Sequence, residues 1–296
     1  MNINIEILCP NLRFQLGEGP HWDHQDQVLY WVDIINKKAY AMSMKNNTLK
    51  EWNFNTYISA IAPCSNNQCI IALQNEIAFF DPQKSKTVFF VAPDNNLKNR
   101  SNECRIDPIG RFWHGTMQNN IGPNNEDIPV NQSTGILSCI ASDGEFTQYI
   151  SNIGISNTLL WSLDGTKMFF GDTVKNSLDI YDFDMKTGIP SNKKEFFGPY
   201  NRGKMDGSAI DNEGYIWNAR FGGSCLIRFN PYGKIDKIIE LPVTNPTSCV
   251  FGGKDLKTLY ITSSMVGVSG NSNNLEGALL SIKTDVPGQL CSRFKI

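Results

Sequence analysis

The chain of 296 residues predicts an all-β fold, a six-bladed β-propeller forming one domain over residues 1–296, and three observations carry that reading. Short apolar, β-branched and aromatic runs bounded by Asn, Asp, Gly and Pro recur along the whole length, whereas long helical periodicity is hard to find. Six of the runs read as versions of one strand: LYWVDI (29–34), CIIALQ (69–74), RFWHGT (111–116), MFFGDT (168–173), YIWNAR (215–220) and TLYITS (258–263). With Trp31, Ile71, Trp113, Phe170, Trp217 and Tyr260 taken as equivalent anchors, successive repeats lie 40 to 57 residues apart and average about 46, the period of a propeller blade of four strands. An irregular β-sandwich with accidental spacing is the competing reading.

The individual elements follow from the same pattern. Several anchor strands follow a turn of one kind, DPIG (107–110), SLDG (162–165) and DNEG (211–214), where Asp and Gly supply the backbone angles of a tight hairpin. Six blades leave about 20 residues over, enough for an N-terminal strand in NIEILC that completes the last blade and closes the ring. The longest step holds QNNIGPNNEDIPVNQST (118–134), a polar stretch rich in Asn, Pro and Gly that reads as a loop inserted over one face.

Composition narrows the function classes. Lys and Arg number 27 against 29 Asp and Glu, a net charge of −2, which argues against nucleic acid or an anionic membrane as the main partner. No apolar stretch approaches the roughly 18 to 20 residues of a membrane span, and MNINIEILCP lacks the basic head and apolar block of a signal peptide, so the expected compartment is the cytoplasm. The eight cysteines are scattered without a CxxC pair and read as reduced thiols, most of them small core residues. The only histidines are His21, His24 and His114, and no GxSxG elbow, Walker loop or Rossmann fingerprint occurs. Any enzyme site here is therefore expected to rest on carboxylates, amides and a metal.

In a propeller, one phase of the repeat lands at one height around the central channel. Eleven to thirteen residues before each anchor stand Glu18, Ser59, Asn102, Asn157, Asp206 and Ser248. Two carboxylates and two amides converging on a small space need a cation to offset repulsion and desolvation. Their all-oxygen donor set suits Ca²⁺, Mg²⁺ or Mn²⁺, and Zn²⁺ also accepts carboxylate oxygen. Taken singly, each residue is also an ordinary turn residue; their shared phase is what makes the constellation.

These residues resemble the SMP-30, gluconolactonase and luciferin-regenerating-enzyme family, six-bladed propellers with one divalent metal in the channel. LGEGPHWD (16–23) followed by LYWVDI resembles the family's opening motif, which implies Glu18 as a metal ligand. ISNTLLWSLDG (155–165) resembles the segment supplying the second ligand, Asn157, and MDG (205–207) followed by AID the segment of the third, Asp206, which is also the proposed general base. RSNECRIDPIGRFWHGTM (100–117) resembles the segment whose Arg and Asn contact the sugar, here Arg100 and Asn102, and TSCVFGGKDLKTLYIT (247–262) resembles the blade that follows. The likeness spans residues of about 14 to 263.

Departures from the family's pattern fall beside the implied ligands. The family usually has NDG where this chain has Asn102, Glu103 and Cys104, SNG where it has Ser156, Asn157 and Thr158, and PDG where it has Met205, Asp206 and Gly207. A substrate-contacting Glu of some members falls near Asn120, which lacks its charge. The resemblance implies hydrolysis of a small sugar lactone, gluconolactone-like, to its aldonic acid. A metal- or ligand-binding propeller without turnover and a lactonase or esterase for apolar substrates, which would want apolar walls and a catalytic His such as His21, stay open beside it. His21 and His114 otherwise read as structural, His24 as turn surface, Cys104 as a space-filler, and Trp22, Trp31, Trp113 and Trp217 as blade packing.

Overall fold

The computed structural model describes residues 4–268 and 275–296. Each regular element among them is a β-strand, and these form six sheets of four antiparallel strands. Five blades run consecutively along the chain, spanning Gly17–Asn53, Ile58–Val91, Asn99–Ile153, Ser156–Phe197 and Lys204–Glu240. The sixth takes Asn245–Gly252, Thr258–Ser264 and Leu280–Lys283, and is completed by the N-terminal strand Ile5–Ile7. Ile5 lies opposite Ile282 and Ile7 opposite Leu280. The ring is thus closed by hydrogen bonds between the two ends of the chain, as NIEILC led us to expect. All six anchor runs fall on the second strand of their blades.

Burial grades from axis to rim. The inner strand Ile58–Pro63 is buried at every residue, whereas the rim strand Thr48–Asn53 is exposed at all but Trp52. An inner strand is covered on both faces by neighbouring blades, so it reads as a continuous buried run. Six apolar clusters fill the six gaps between blades; one joins Val32 and Trp52 to Ile58 and Ile71, and another closes the ring by packing Trp22 and Trp31 against Val250 and Tyr260. Trp22, Trp31 and Trp113 are wholly buried in these clusters and Trp217 nearly so, each stabilising the sheet-on-sheet contact by about 1.5–3 kcal/mol or more.

In the third and fifth blades the hairpin turn itself holds the tryptophan anchor. Asp107 accepts the backbone N–H groups of Ile109 and Arg111 through Oδ1 and the Trp113 indole N–H through Oδ2 at 3.1 Å. Asp211 does the same for Glu213, Tyr215 and the Trp217 indole at 2.9 Å. One aspartate therefore caps the turn and fixes the anchor six residues on. Gly110, Gly165 and Gly214 complete these turns with φ of 98°, 69° and 80°, which only glycine adopts without strain.

No helix of the described residues is long and apolar enough to cross a membrane. After the last strand the chain crosses one end of the channel. Gln289 N donates to Ile210 O, Phe294 N to Pro63 O and Lys295 N to Gly110 O, so this segment touches blades five, two and three in turn. Phe294 is fully buried between the second and third blades.

Candidate functional site

Glu18, Arg100, Asn102, Asn120, Asn157 and Asp206 all line one cavity of about 310 Å³ at the end of the channel where the inner strands begin. The inner strands deliver them by a shared irregularity. Each breaks register with the second strand of its blade beside the expected position: between Glu18 and His21, Ile58 and Ala60, Ser101 and Cys104, Asn157 and Leu159, Met205 and Ser208, and Pro246 and Ser248. A bulge re-aims a side chain that a regular pleat would send into the blade interface.

Of the six residues in the repeated phase, four reach the cavity. Ser59 lies behind it in a closed void shared with Glu18, Asn102, Glu103 and Asn157. Ser248 is taken by Arg105, whose Nη2 donates to its Oγ at 3.3 Å.

The three residues implied as ligands are held from behind. Asp33 accepts the backbone N–H groups of Gln15 and Leu16, and Asp172 those of Gly154 and Ile155. Each pins the chain two residues ahead of Glu18 or Asn157. Asn157 Nδ2 donates to Thr173 Oγ1 at 2.7 Å, and Thr173 in turn donates to Met205 O at 2.6 Å, which ties the second implied ligand to the residue before the third. One oxygen of Glu18 accepts Gly19 N at 3.0 Å and one of Asp206 accepts Gly207 N at 3.1 Å. The second oxygen of each carboxylate has no hydrogen-bond partner among the described residues. Among the described residues, Asn157 Oδ1 receives only a long contact of 3.4 Å from Asn102.

The electrostatics are those of crowded carboxylates. Burial and the nearby Glu103 push the Glu18 carboxyl up to about 8, and burial together with Glu18 and Glu103 raises Asp206 well above the usual range. A donor set of this kind, two repelling carboxylates and an amide oxygen each offering an uncommitted atom, fits a hard cation. No group of three or more His, Cys, Asp or Glu poised to hold a metal occurs among the described residues; the set here has only two acids and completes itself with an amide.

Arg100 is buried, and burial lowers its guanidinium to about 10. Its Nε and Nη2 both donate to Asn120 Oδ1, at 3.0 and 2.8 Å, while Nη1 donates to Ser101 O and to Asn102 Oδ1. Asn102 Nδ2 continues to Ser156 O at 2.7 Å. Arg100, Asn102 and Asn120 therefore form one braced unit on the cavity wall.

The family model that describes the SMP-30/gluconolactonase/LRE-like region matches residues 16–265. The chain belongs to this family. Among relatives of the SMP-30/gluconolactonase/LRE-like chain, regucalcin of Gallus gallus is 30% identical over 269 residues, covering 90% of this chain and 89% of that protein. YvrE of Bacillus subtilis (strain 168), provisionally named a sugar lactone lactonase, is 29% identical over 87% of this chain and 86% of its own length. The crystal structure of a calcium-binding protein, regucalcin from Agrobacterium tumefaciens, superposes with a TM-score of 0.91 at 26% identity, covering 99% of this chain and 98% of that one.

The departures from the SMP-30 pattern acquire physical meaning. Met205 stands where the family has proline, and its N–H donates to Asn176 Oδ1 at 2.8 Å, a bond proline cannot make. Thr158 stands where glycine is usual and adopts a φ of +22°, a conformation costly for a β-branched residue. Its hydroxyl donates to Asp206 O and bonds Ser208 Oγ at 2.7 Å, so it fastens the fourth blade to the fifth beside Asp206. Cys104 is buried and its thiol is raised by desolvation, the behaviour of a space-filler.

His21 lines a separate cavity of about 70 Å³ at the opposite end of the channel, and burial pushes its imidazole down to about 3. His114 is buried with Nε2 2.7 Å from Ser101 Oγ, and burial pushes it down to about 4. His24 lies in a turn. None of the six tryptophans lines the site cavity.

Sequence reasoning passed over the bracing residues Asp33 and Asp172, although both stand two places after an anchor, in LYWVDI and MFFGDT. It named Glu103 only as a departure beside Asn102 and passed over Arg105. Arg105 is partly buried, pairs with Glu103 at 2.6 Å, and donates to Pro20 O of the first blade and Ser208 O of the fifth. The alternation of charge in NECRI was the available signal, but which blades the arginine reaches depends on ring closure.

Proposed function

We propose that this protein is a divalent-metal-dependent sugar lactonase that opens a gluconolactone-like aldonolactone to its aldonic acid. Glu18, Asn157 and Asp206 would hold one cation, Ca²⁺, Zn²⁺, Mg²⁺ or Mn²⁺. The observation that carries the reading is that, among the described residues, these three each keep an oxygen free of a close protein hydrogen bond on the same cavity. The calcium binding named for the Agrobacterium regucalcin and the lactone named for YvrE point the same way.

When bound, the ion supplies Lewis-acid polarisation for the lactone carbonyl and for the attacking water. Asp206, a weak base while it holds the ion, orients that already activated water and accepts its proton as the new C–O bond forms. The ring C–O bond then breaks, and the proton returns to the departing alkoxide oxygen, leaving a hydroxy acid. The last N–H of Arg100, with Asn102 and Asn120, orients the hydroxyl groups of the sugar. The partner is thus a small sugar lactone, with no nucleic acid and no membrane. The eight free cysteines accord with the cytoplasm as the proposed compartment.

Acid release from glucono-δ-lactone at near-neutral pH tests the reading. The rate should fall to background with chelator and return on adding back a divalent ion. No chelator-sensitive rate on any of several aldonolactones would favour a binding propeller. One observation supports lactones with apolar substituents instead: Met117, Ile121, Ile155, Phe221 and Val266 share the cavity wall. A faster chelator-sensitive rate on an alkyl-substituted lactone than on gluconolactone would select that reading.

A further inference from the structure

The 118–134 loop brings to the cavity a carboxylate that the ligand motifs do not include. We infer that Asp127 is a specificity-determining residue, which selects neutral, hydroxyl-bearing lactones by accepting a hydrogen bond from a substrate hydroxyl. This rests on the lactonase reading above.

Arg100 is already largely committed to the protein. Of the five N–H donors on a guanidinium, four are already spent on Asn120, Ser101 and Asn102. The deep cation of the site therefore has little left with which to clasp an anionic group. Its hydrogen bonds run outward instead. Asn120 Oδ1 takes two of them, and Asn120 Nδ2 donates to Asp127 Oδ1 at 3.1 Å.

Asp127 Oδ2 has no hydrogen-bond partner among the described residues, and Asp127 lines the cavity. Though exposed, the residue is held in place by its own loop. Ile121 and Asp127 form a bridge, Gly122 N donates to Glu126 O at 2.9 Å, and Ile128 N donates to Asn120 O at 2.8 Å. An acceptor fixed in this way suits a hydroxyl donor and repels phosphate or carboxylate.

Charge around the cavity agrees. Glu18, Glu126, Asp127 and Asp206 face Arg100 and Lys204, an excess of two negative charges that one divalent ion cancels. A neutral ligand keeps that balance, and an anionic one breaks it.

The test compares wild type, Asp127→Ala and Asp127→Asn, each loaded with ion, on glucono-δ-lactone, on unsubstituted δ-valerolactone and on 6-phosphoglucono-δ-lactone. In Asp127→Ala, the ratio of kcat/KM for gluconolactone to that for valerolactone should fall about tenfold, the loss of one charge-assisted hydrogen bond, and the loss should lie in KM. Discrimination against the phosphorylated lactone should shrink in both variants, while Asp127→Asn, which keeps an acceptor oxygen, should retain most of the first ratio. Equal changes on gluconolactone and valerolactone, or no change on either, would overturn the assignment. A calorimetric titration with the unreactive polyol 1,5-anhydroglucitol provides a readout without turnover. Binding should weaken about tenfold in Asp127→Ala, and equal affinity would overturn the role even if wild type hydrolysed no lactone, an outcome that sinks the lactonase reading separately.

Discussion

The two ends of the channel are built from the same six strands and do opposite things. At the end where the strands begin, bulges turn Glu18, Asn102, Asn157 and Asp206 into an open cavity of about 310 Å³. At the end where they finish, the chain's last residues lie across the opening, and the pocket beneath them among His21, Cys249, Cys291 and Gln289 holds about 70 Å³. Between the ends, Arg105 reaches from the third blade to the first, fifth and sixth while paired to Glu103. The contrast separates tasks: one end keeps polar atoms uncommitted for a ligand, and the other satisfies or buries them to hold the ring. Ring closure and chemistry can therefore be perturbed independently.

The largest effect should come from the open end. Asp206→Ala removes both a proposed ion ligand and the proposed base, and lactone hydrolysis should drop by on the order of 10³-fold or more. The circular dichroism spectrum should be retained, because among the described residues the Asp206 side chain bonds only its neighbour Gly207. Turnover like that of wild type would remove Asp206 from the mechanism. Arg105→Met probes the divider instead. It strands the buried Glu103 carboxylate, and breaking a buried pair in this way costs about 3 kcal/mol or more. Adding Glu103→Gln should recover most of the lost Tm; if the double variant is no more stable than the single, the ion pair is not what joins the two ends.

What could be read from the sequence divides along the same line. The anchors, turns and closing strand were legible because a propeller repeats them. Asp107 and Asp211 bond Trp113 and Trp217 six residues away, which is local chemistry written in contiguous sequence. The phase of Glu18, Asn102, Asn157 and Asp206 was legible for the same reason. The braced unit of Arg100, Asn120 and Asp127 was only half legible, since nothing in a polar loop states that Asn120 folds back onto an arginine 20 residues earlier. Ser59 and Ser248 share the phase but face a closed void and Arg105, because the third blade's own side chains fill the space they would enter. Arg105 was illegible for a deeper reason: its partners lie 85, 103 and 143 residues away and meet it only once the ring has closed.

The smallest expected effect distinguishes the ends by pH. Without an ion, burial and carboxylate repulsion hold Glu18 up to about 8 and Asp206 above its usual range. From about pH 4.5, where the unfolded carboxyls ionise, to about pH 8, the folded chain keeps protons that the unfolded chain has lost. Stability contributed by these groups is therefore full below that window and falls as pH rises through it, by on the order of 1 kcal/mol per pH unit. A bound divalent ion requires both carboxylates ionised, so binding releases protons and strengthens as pH rises. Thermal unfolding between pH 5 and 8.5, in chelator and in excess Ca²⁺, should give two Tm curves that diverge with increasing pH. His21 and His114 are held neutral by burial and take up protons only in the unfolded chain, so below about pH 6.5 they add a rising slope common to both curves, which cancels in their difference. Parallel curves would mean that Glu18 and Asp206 do not share an ion, and would return both carboxylates to a structural role.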